Sequence, residues 1–287
     1  MKPHHLIPTL LAGLVLVLCT TCAHAQTHWD QSREIGLSFG TSYYIGDLNP
    51  SKHFGTRLQP GGGLTYRENI DRRISIKGSF VYNRVEAYDA DSDDPWRQNR
   101  NLHFRNDFLE GSVMVEINFW DYQIGTDDKF TPYLTGGLAY YSMEPQAEYN
   151  GVWYDLQPLG TEGQGTTEGG QYYTSGGFAL PFGAGFKLNV AQVLGISLEW
   201  SIRKTWTDHF DDVSGAYADP AVLLDESGTL AVNLADRSVQ RSGPNGNNAG
   251  MQRGDPGRDD WYAFAYLSLN FRLDKLANSC FKNIHFH

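Results

Sequence analysis

Residues 195–206 read GISLEWSIRKTW, with Ile196, Leu198, Trp200 and Ile202 at every second position and Ser197, Glu199, Ser201 and Arg203 between them. Strict alternation over this length predicts a β-strand with two unlike faces. The pattern recurs, and eight strands are predicted at 34–44, 60–68, 73–85, 101–120, 131–143, 177–190, 194–206 and 259–273. The second, PGGGLTYRE, alternates least clearly. Most reach the ~9–11 residues that a tilted strand needs to cross a bilayer.

The connections alternate as well. Those at 45–59, 86–100, 144–176 and 207–258 are long, while 69–72, 121–130 and 191–193 are short. An up-and-down outer-membrane barrel has short periplasmic turns and long outer loops, whereas a soluble barrel has no reason to sort its loops. Tyr43, Tyr44, Phe119, Trp120, Tyr122, Tyr140, Tyr141, Trp206, Trp261 and Tyr262 fall near strand ends. Amphipathic rings favour the lipid–water interface, so these read as two girdles; the high β-propensity of aromatic residues is the competing explanation. The reading is an all-β protein, an eight-stranded antiparallel up-and-down transmembrane β-barrel.

In such a barrel the apolar set of each strand faces lipid and the polar set faces the lumen. Ile196, Leu198, Trp200 and Ile202 then point outward, as do Ile35, Leu37 and Phe39, Ile74, Ile76 and Phe80, and Val113, Val115 and Ile117. The inward charges are Glu34, Glu110, Glu116 and Glu199 with Lys77, Lys187, Arg203 and Arg272, four acids and four bases. Eight strands enclose a lumen that side chains fill, and buried charges must pair. A plugged interior without a pore is expected.

The first residues support export. Lys2, His4 and His5 precede the apolar run Leu10–Leu18, and Ala23-x-Ala25 follows. This predicts a signal peptide cut after Ala25, a barrel over 26–273 and a periplasmic tail over 274–287. Cleavage removes Cys19 and Cys22 and leaves Cys280 alone. An odd cysteine in an oxidising compartment suggests pairing between molecules or a free thiol; an inert, partly buried thiol is the other reading. Cys280 is a candidate partner contact. The chain has 16 Tyr, 15 Phe, 7 Trp and 31 Gly at a mean hydropathy of −0.43, as expected where only alternate residues touch lipid. A net charge of −10 disfavours nucleic acid as a partner.

Candidate chemistry is sparse. DADSDD (89–94) starts like a calcium loop, but an EF-hand needs Gly at the sixth position and Glu at the twelfth, where Asp94 and Arg100 stand. A looser calcium site there or at Asp208, Asp211 and Asp212 competes with a solvated acidic loop. GTEGQGTTEGG (160–170) lacks the Lys-Ser/Thr of a P-loop and reads as a flexible or tightly turned outer loop. His209 beside Asp208 has no telling Ser or second His nearby, so no enzyme, catalytic residue or cofactor is assigned.

Five stretches carry a family likeness: EIGLSFGTSYYIGDLNP (34–50), FTPYLTGGLAYYSMEPQAEY (130–149), LQPLGTEGQG (156–165), LPFGAGFKLN (180–189) and RKTWTDHFDDVSGAY (203–217). Together they resemble the PorG-type outer-membrane proteins of the type IX secretion system over nearly the whole mature chain. The motif positions are Gly46, Asp47 and Leu48; Thr161, Glu162, Gly163, Gln164 and Gly165; and Asp211, Asp212, Val213, Ser214 and Gly215. Residues 218–258 and the tail depart from the pattern. The resemblance implies a protein of the cell outer membrane, its termini periplasmic, that holds the periplasmic ring of PorK- and PorN-type proteins. The alternative is a small adhesin-like or membrane-stabilising barrel whose outer loops bind an external ligand.

Overall fold

The computed structural model describes residues 31–55 and 57–275; the predicted signal segment, Cys280 and most of the tail 274–287 lie outside the described residues. Ten strands form: β1 (Ser32–Ile45), β2 (Gln59–Asn69), β3 (Ile74–Tyr88), β4 (His103–Asn118), β5 (Phe130–Ser142), β6 (Pro145–Tyr149), β7 (Val152–Asp155), β8 (Gly176–Asn189), β9 (Leu194–Thr205) and β10 (Trp261–Arg272). All except β6 and β7 build the barrel wall. Each wall strand pairs antiparallel with the next, and β1 pairs with β10 to close the ring. All eight predicted strands are present, including β2. The hairpin β6–β7 extends outward beyond β4 and did not stand out as alternation.

The wall is two-faced because its side chains alternate. On β4, Val113, Val115 and Ile117 are exposed while Ser112, Met114 and Glu116 are buried. Leu37, Phe39, Phe80, Leu134, Phe186 and Leu198 continue the exposed set around the ring. A belt of this extent exceeds any patch a soluble monomer tolerates, and a closed barrel satisfies its backbone in lipid. Among the described residues no helix is long and apolar enough to cross a membrane.

Two outward assignments change. Ile202 is buried in a small cluster with Tyr43, Ile45 and Ala263, over which Phe54 and His53 of the first long loop fold, with ring centroids 5.2 and 5.8 Å from Tyr43. Of the proposed girdle, Phe119, Trp120, Tyr140 and Trp206 are exposed, whereas Tyr43, Tyr44, Tyr122, Tyr141 and Tyr262 are buried. Position near a strand end does not fix which face a ring takes, and Tyr44, Tyr141 and Tyr262 fall on the lumen face. Tyr82, Phe130 and Phe178 join the exposed rings instead.

The turns at one end are tight; Asp71 accepts from the backbone N–H groups of Arg73 and Ile74 at 2.6 and 2.7 Å. At the other end the long loops form a packed cap with short helices at Pro95–Arg100, Pro220–Glu226 and Thr229–Ala235. The first two start alike, with Pro in the first turn and an Asp side chain, Asp94 or Asp219, capping the backbone.

Candidate functional site: a paired-charge lumen beneath a three-motif cap

Seven of the eight inward charges predicted from alternation meet in the lumen, and β2 supplies one more. Arg67 bridges Glu34 at 2.5 Å and Glu116 at 2.7 Å. Glu116 also meets Lys77 at 3.1 Å and Lys187 at 2.6 Å, and Lys77 reaches on to Glu199. Higher up, Arg203 pairs with Glu110 at 3.2 Å, and the Tyr262 hydroxyl donates to the same carboxylate at 2.9 Å. Arg272 is not a partner of these acids. It bonds Asp274 at 2.7 Å and the Ile124 carbonyl at 2.9 Å, at the short-turn end. The four lumen acids are therefore matched by Arg67, Lys77, Lys187 and Arg203. Sequence reasoning missed Arg67, although Thr65 and Arg67 alternate with the exposed Leu64 and Tyr66.

Above the charges an aromatic plug fills the barrel. Phe210, from the loop after β9, inserts between Phe108, Tyr141 and Tyr262 with centroids 5.3, 5.5 and 5.1 Å away. A cavity of about 20 Å³ remains among the charges, lined by Arg67, Lys77, Glu199 and Arg203 among others. That is room for about one water.

The three motifs meet over this plug. The Thr161 hydroxyl donates to Asp212 at 2.5 Å. The Glu162 carboxylate accepts from the N–H groups of Ser214 and Gly215 at 2.9 and 3.0 Å, and Gln164 accepts from the Glu162 N–H at 3.0 Å. Gly163 and Gly165 make the tight turn expected of this loop, with Gly163 N–H bonded to the Gly160 carbonyl at 2.8 Å. Leu48 and Val213 are buried in the core. Asp47 accepts from the Asp255 N–H at 2.8 Å. Gly46 packs so closely on Tyr44 and Asp260 that a Cβ there would collide with both.

Two arginines that carried no sequence signal tie the motifs together. Arg253, 1% exposed, bonds Glu162 at 2.8 Å and the Asp212 carbonyl at 2.5 Å. Arg100 holds Asp89 through two 2.7 Å bonds and reaches the carbonyls of Arg253 at 2.5 Å and Asp47 at 3.2 Å.

The acidic loop is solvated at Asp91 and Asp93 and buried at Asp89. Asp89 is buried against Arg100, Asp91 pairs with Arg57 at 2.6 Å and Asp93 with Lys52 at 3.0 Å, so the three carboxylates diverge to separate cations. Asp211 and Asp212 also turn apart, one toward Tyr44 and the other toward Thr161, Tyr173 and Arg253. Among the described residues no three His, Cys, Asp or Glu side chains gather as a metal site requires.

The cap retains protons instead. Tyr44 Oη lies 2.5 Å from both Asp211 and Asp260 and accepts the Asp47 N–H at 2.8 Å. A phenol has one hydrogen, so it donates to one carboxylate and the other must supply its own proton. Burial, with neighbouring carboxylates, pushes Asp211 and Asp260 well up. Burial pushes Asp208 up to about 8, against a partial offset from the Ser214 side chain. Asp212 rises to about 6 for the same reason, offset by Arg253. His209 rests on the Tyr173 ring, 4.7 Å between centroids, and burial lowers its pKa.

A closed eight-stranded barrel with an apolar outer belt and a plugged, charge-paired lumen is an outer-membrane-type β-barrel. The family described as "Domain of unknown function (DUF6089)" matches residues 9–220, and the chain belongs to that family. No curated protein matches it. Among solved structures it is similar to Ail, the attachment invasion locus protein of Yersinia pestis, at 12% identity and a TM-score of 0.40, over 85% of this chain and 99% of that one. It is similar to the outer membrane protein OprG from Pseudomonas aeruginosa at 11% identity and a TM-score of 0.42, over 85% and 97%. Neisserial surface protein A follows at 7% identity and a TM-score of 0.39, over 84% and 97%.

Proposed function

We propose that this barrel is a non-enzymatic component of the type IX protein secretion machinery, with its termini in the periplasm, and that it anchors a ring of PorK- and PorN-type proteins to the outer membrane. The observation that carries the reading is the filled lumen, whose buried charges are paired side chain to side chain. A barrel with no path through it acts by its position in the membrane. The motifs GDLNP, TEGQG and DDVSG, on which the resemblance to PorG-type proteins rests, form one bonded unit, which supports weighing them together. At the short-turn end Arg72 and Arg73 are exposed beside Trp120 and Ile70, a surface that suits a protein partner. The tail beyond 275, with Cys280, would add to that contact.

The test is co-purification of the tagged barrel from gently solubilised native membranes. Ring proteins recovered with it are the expected result; a barrel that comes out alone overturns the anchor. A second reading, an adhesin-like barrel, is favoured by the ordered outer cap, where Val152, Leu224 and Val239 are exposed. Binding of intact cells to an external surface that depends on loop 207–258, with no ring recovered, would establish it.

A further inference from the structure

We propose that the free edge of β7, at the long-loop end of the barrel, takes up an extended, basic polypeptide segment as an added strand. This edge lies opposite the proposed ring contact and is independent of it. β7 is the last strand of its sheet and pairs with β6 on one side only. The register sets Ala147 against Tyr154 and Tyr149 against Val152, and the Leu156 N–H continues it to the Pro145 carbonyl at 2.8 Å. Glu148, between them, turns away from β7: its N–H donates to His103 Nε2 at 3.0 Å and its carbonyl accepts from Arg237 at 2.7 Å. Bonding residues alternate along an antiparallel strand, so Val152 and Tyr154 aim their backbone groups at β6 while Trp153 and Asp155 aim theirs outward. Among the described residues nothing bonds the backbone N–H or carbonyl of Trp153 or Asp155. Two donors and two acceptors at this spacing match the backbone of an extended chain.

The edge is held in place from its turn and from both faces. Asn150 and Gly151, with φ of 52° and 81°, make the two-residue turn of the hairpin. On one face Ala147, Tyr154 and Leu156 cluster with Leu234. On the other the Trp153 ring lies 4.0 Å from the Arg105 guanidinium and edge-on to His103, 5.9 Å between centroids. β7 carries neither the proline nor the lysine that commonly guards an edge. Charge selects the occupant. Arg105 is answered by Asp107 at 3.8 Å and Arg237 by the Glu148 carbonyl, whereas Asp155 is exposed and forms no ion pair among the described residues. Loops 143–175 and 206–260 hold fifteen acidic and four basic residues. Of these acids Glu144, Glu168, Asp219 and Asp225 are likewise exposed without an ion pair among the described residues. Such a surface draws a cationic segment and repels a second copy of itself.

The experiment is titration of the full, isotope-labelled chain in phosphatidylcholine nanodiscs with the peptide acetyl-Val-Lys-Val-Lys-Val-amide, read by amide NMR. The Trp153 and Asp155 amide signals should shift and saturate. The same peptide N-methylated throughout keeps its charges and loses its backbone donors, and should bind at least about tenfold more weakly. Acetyl-Val-Glu-Val-Glu-Val-amide, which keeps the donors and reverses the charge, should weaken by a similar factor. Asp155→Pro removes an edge N–H and should abolish the Trp153 shift, whereas Asp155→Asn keeps the N–H and should retain it at lower affinity. Both variants should keep the heat-modifiable mobility of the folded barrel. Equal binding of the N-methylated peptide would reduce the effect to charge alone and overturns strand addition. Equal binding of the glutamate peptide overturns the basic occupant, and unmoved Trp153 and Asp155 signals overturn the site itself.

Discussion

At the scale of single residues, the two faces of the wall should respond oppositely to charge. Leu198 is 56% exposed at the middle of β9, so Leu198→Arg places a cation in the hydrocarbon and should cost about 2–4 kcal/mol, read from urea-induced unfolding in liposomes. Arg203→Leu fails for another reason: it strands Glu110 in the lumen with only the Tyr262 hydroxyl, a loss of about 3–5 kcal/mol in the same assay. Unchanged unfolding in either variant would invert the assignment of faces. In the cap the governing residues are acids that keep their protons. A carboxyl whose folded pKa lies above its unfolded value near 3.8 stabilises the cap while it stays protonated, and that stability is lost as pH rises toward the folded value. Asp212 at about 6 and Asp208 at about 8 place the loss between roughly pH 4 and 8. Hydrogen exchange of loop 207–258 should therefore quicken across that range. Asp208→Asn, which needs no proton, should restore about tenfold protection at pH 8, the equivalent of one pKa unit. Exchange whose protection does not change with pH would remove this role from the buried acids.

At the scale of elements, the strands were legible because a membrane wall writes its two faces into the sequence at period two. The faintest strand, β2, has a physical excuse. A Cβ on Gly61 would collide with the Asn83 side chain, which Tyr266 engages across the lumen, so the site demands glycine where the pattern wants a larger residue. The same weak pattern hid Arg67. The cap was illegible for a different reason. Its helices run only six or seven residues, too short to show a period, and its key pair joins Arg253 to Glu162 across 91 positions with no local signal. The motif likeness marked where the cap's residues lie but not that they bond to one another. Phe210 is where the cap enters the barrel, and Phe210→Ala should cost about 3–5 kcal/mol. Because its neighbours Tyr44, Tyr141 and Tyr262 remain seated on wall strands, the loss should appear as faster exchange in loops 143–175 and 206–260 while the strands stay protected. Equal loosening of cap and wall would mean that the plug is part of one cooperative unit.

At the scale of the whole molecule, three layers close the barrel in series. The outermost is the hydrogen-bonded cap centred on Arg100 and Arg253, the next the aromatic plug around Phe210, and the third the ion-paired lumen centred on Glu116. An ion crossing it would have to separate pairs in which Arg67, Lys187 and Glu116 are almost wholly buried, and the free volume beside them holds about one water. Loop motion alone would open the first layer and leave the other two shut. Reconstituted wild-type protein should therefore show no stable conductance in planar bilayers across the pH range in which the cap loosens. Phe210→Ala should remain closed as well, because the charge layer lies below the plug. Conductance should appear only when both inner layers are breached, as in Phe210→Ala combined with Arg67→Ala, and then as brief, irregular openings. Reproducible porin-sized channels from the wild-type barrel would show that the lumen rearranges as a unit, and would overturn the proposed anchor role in favour of a conduit.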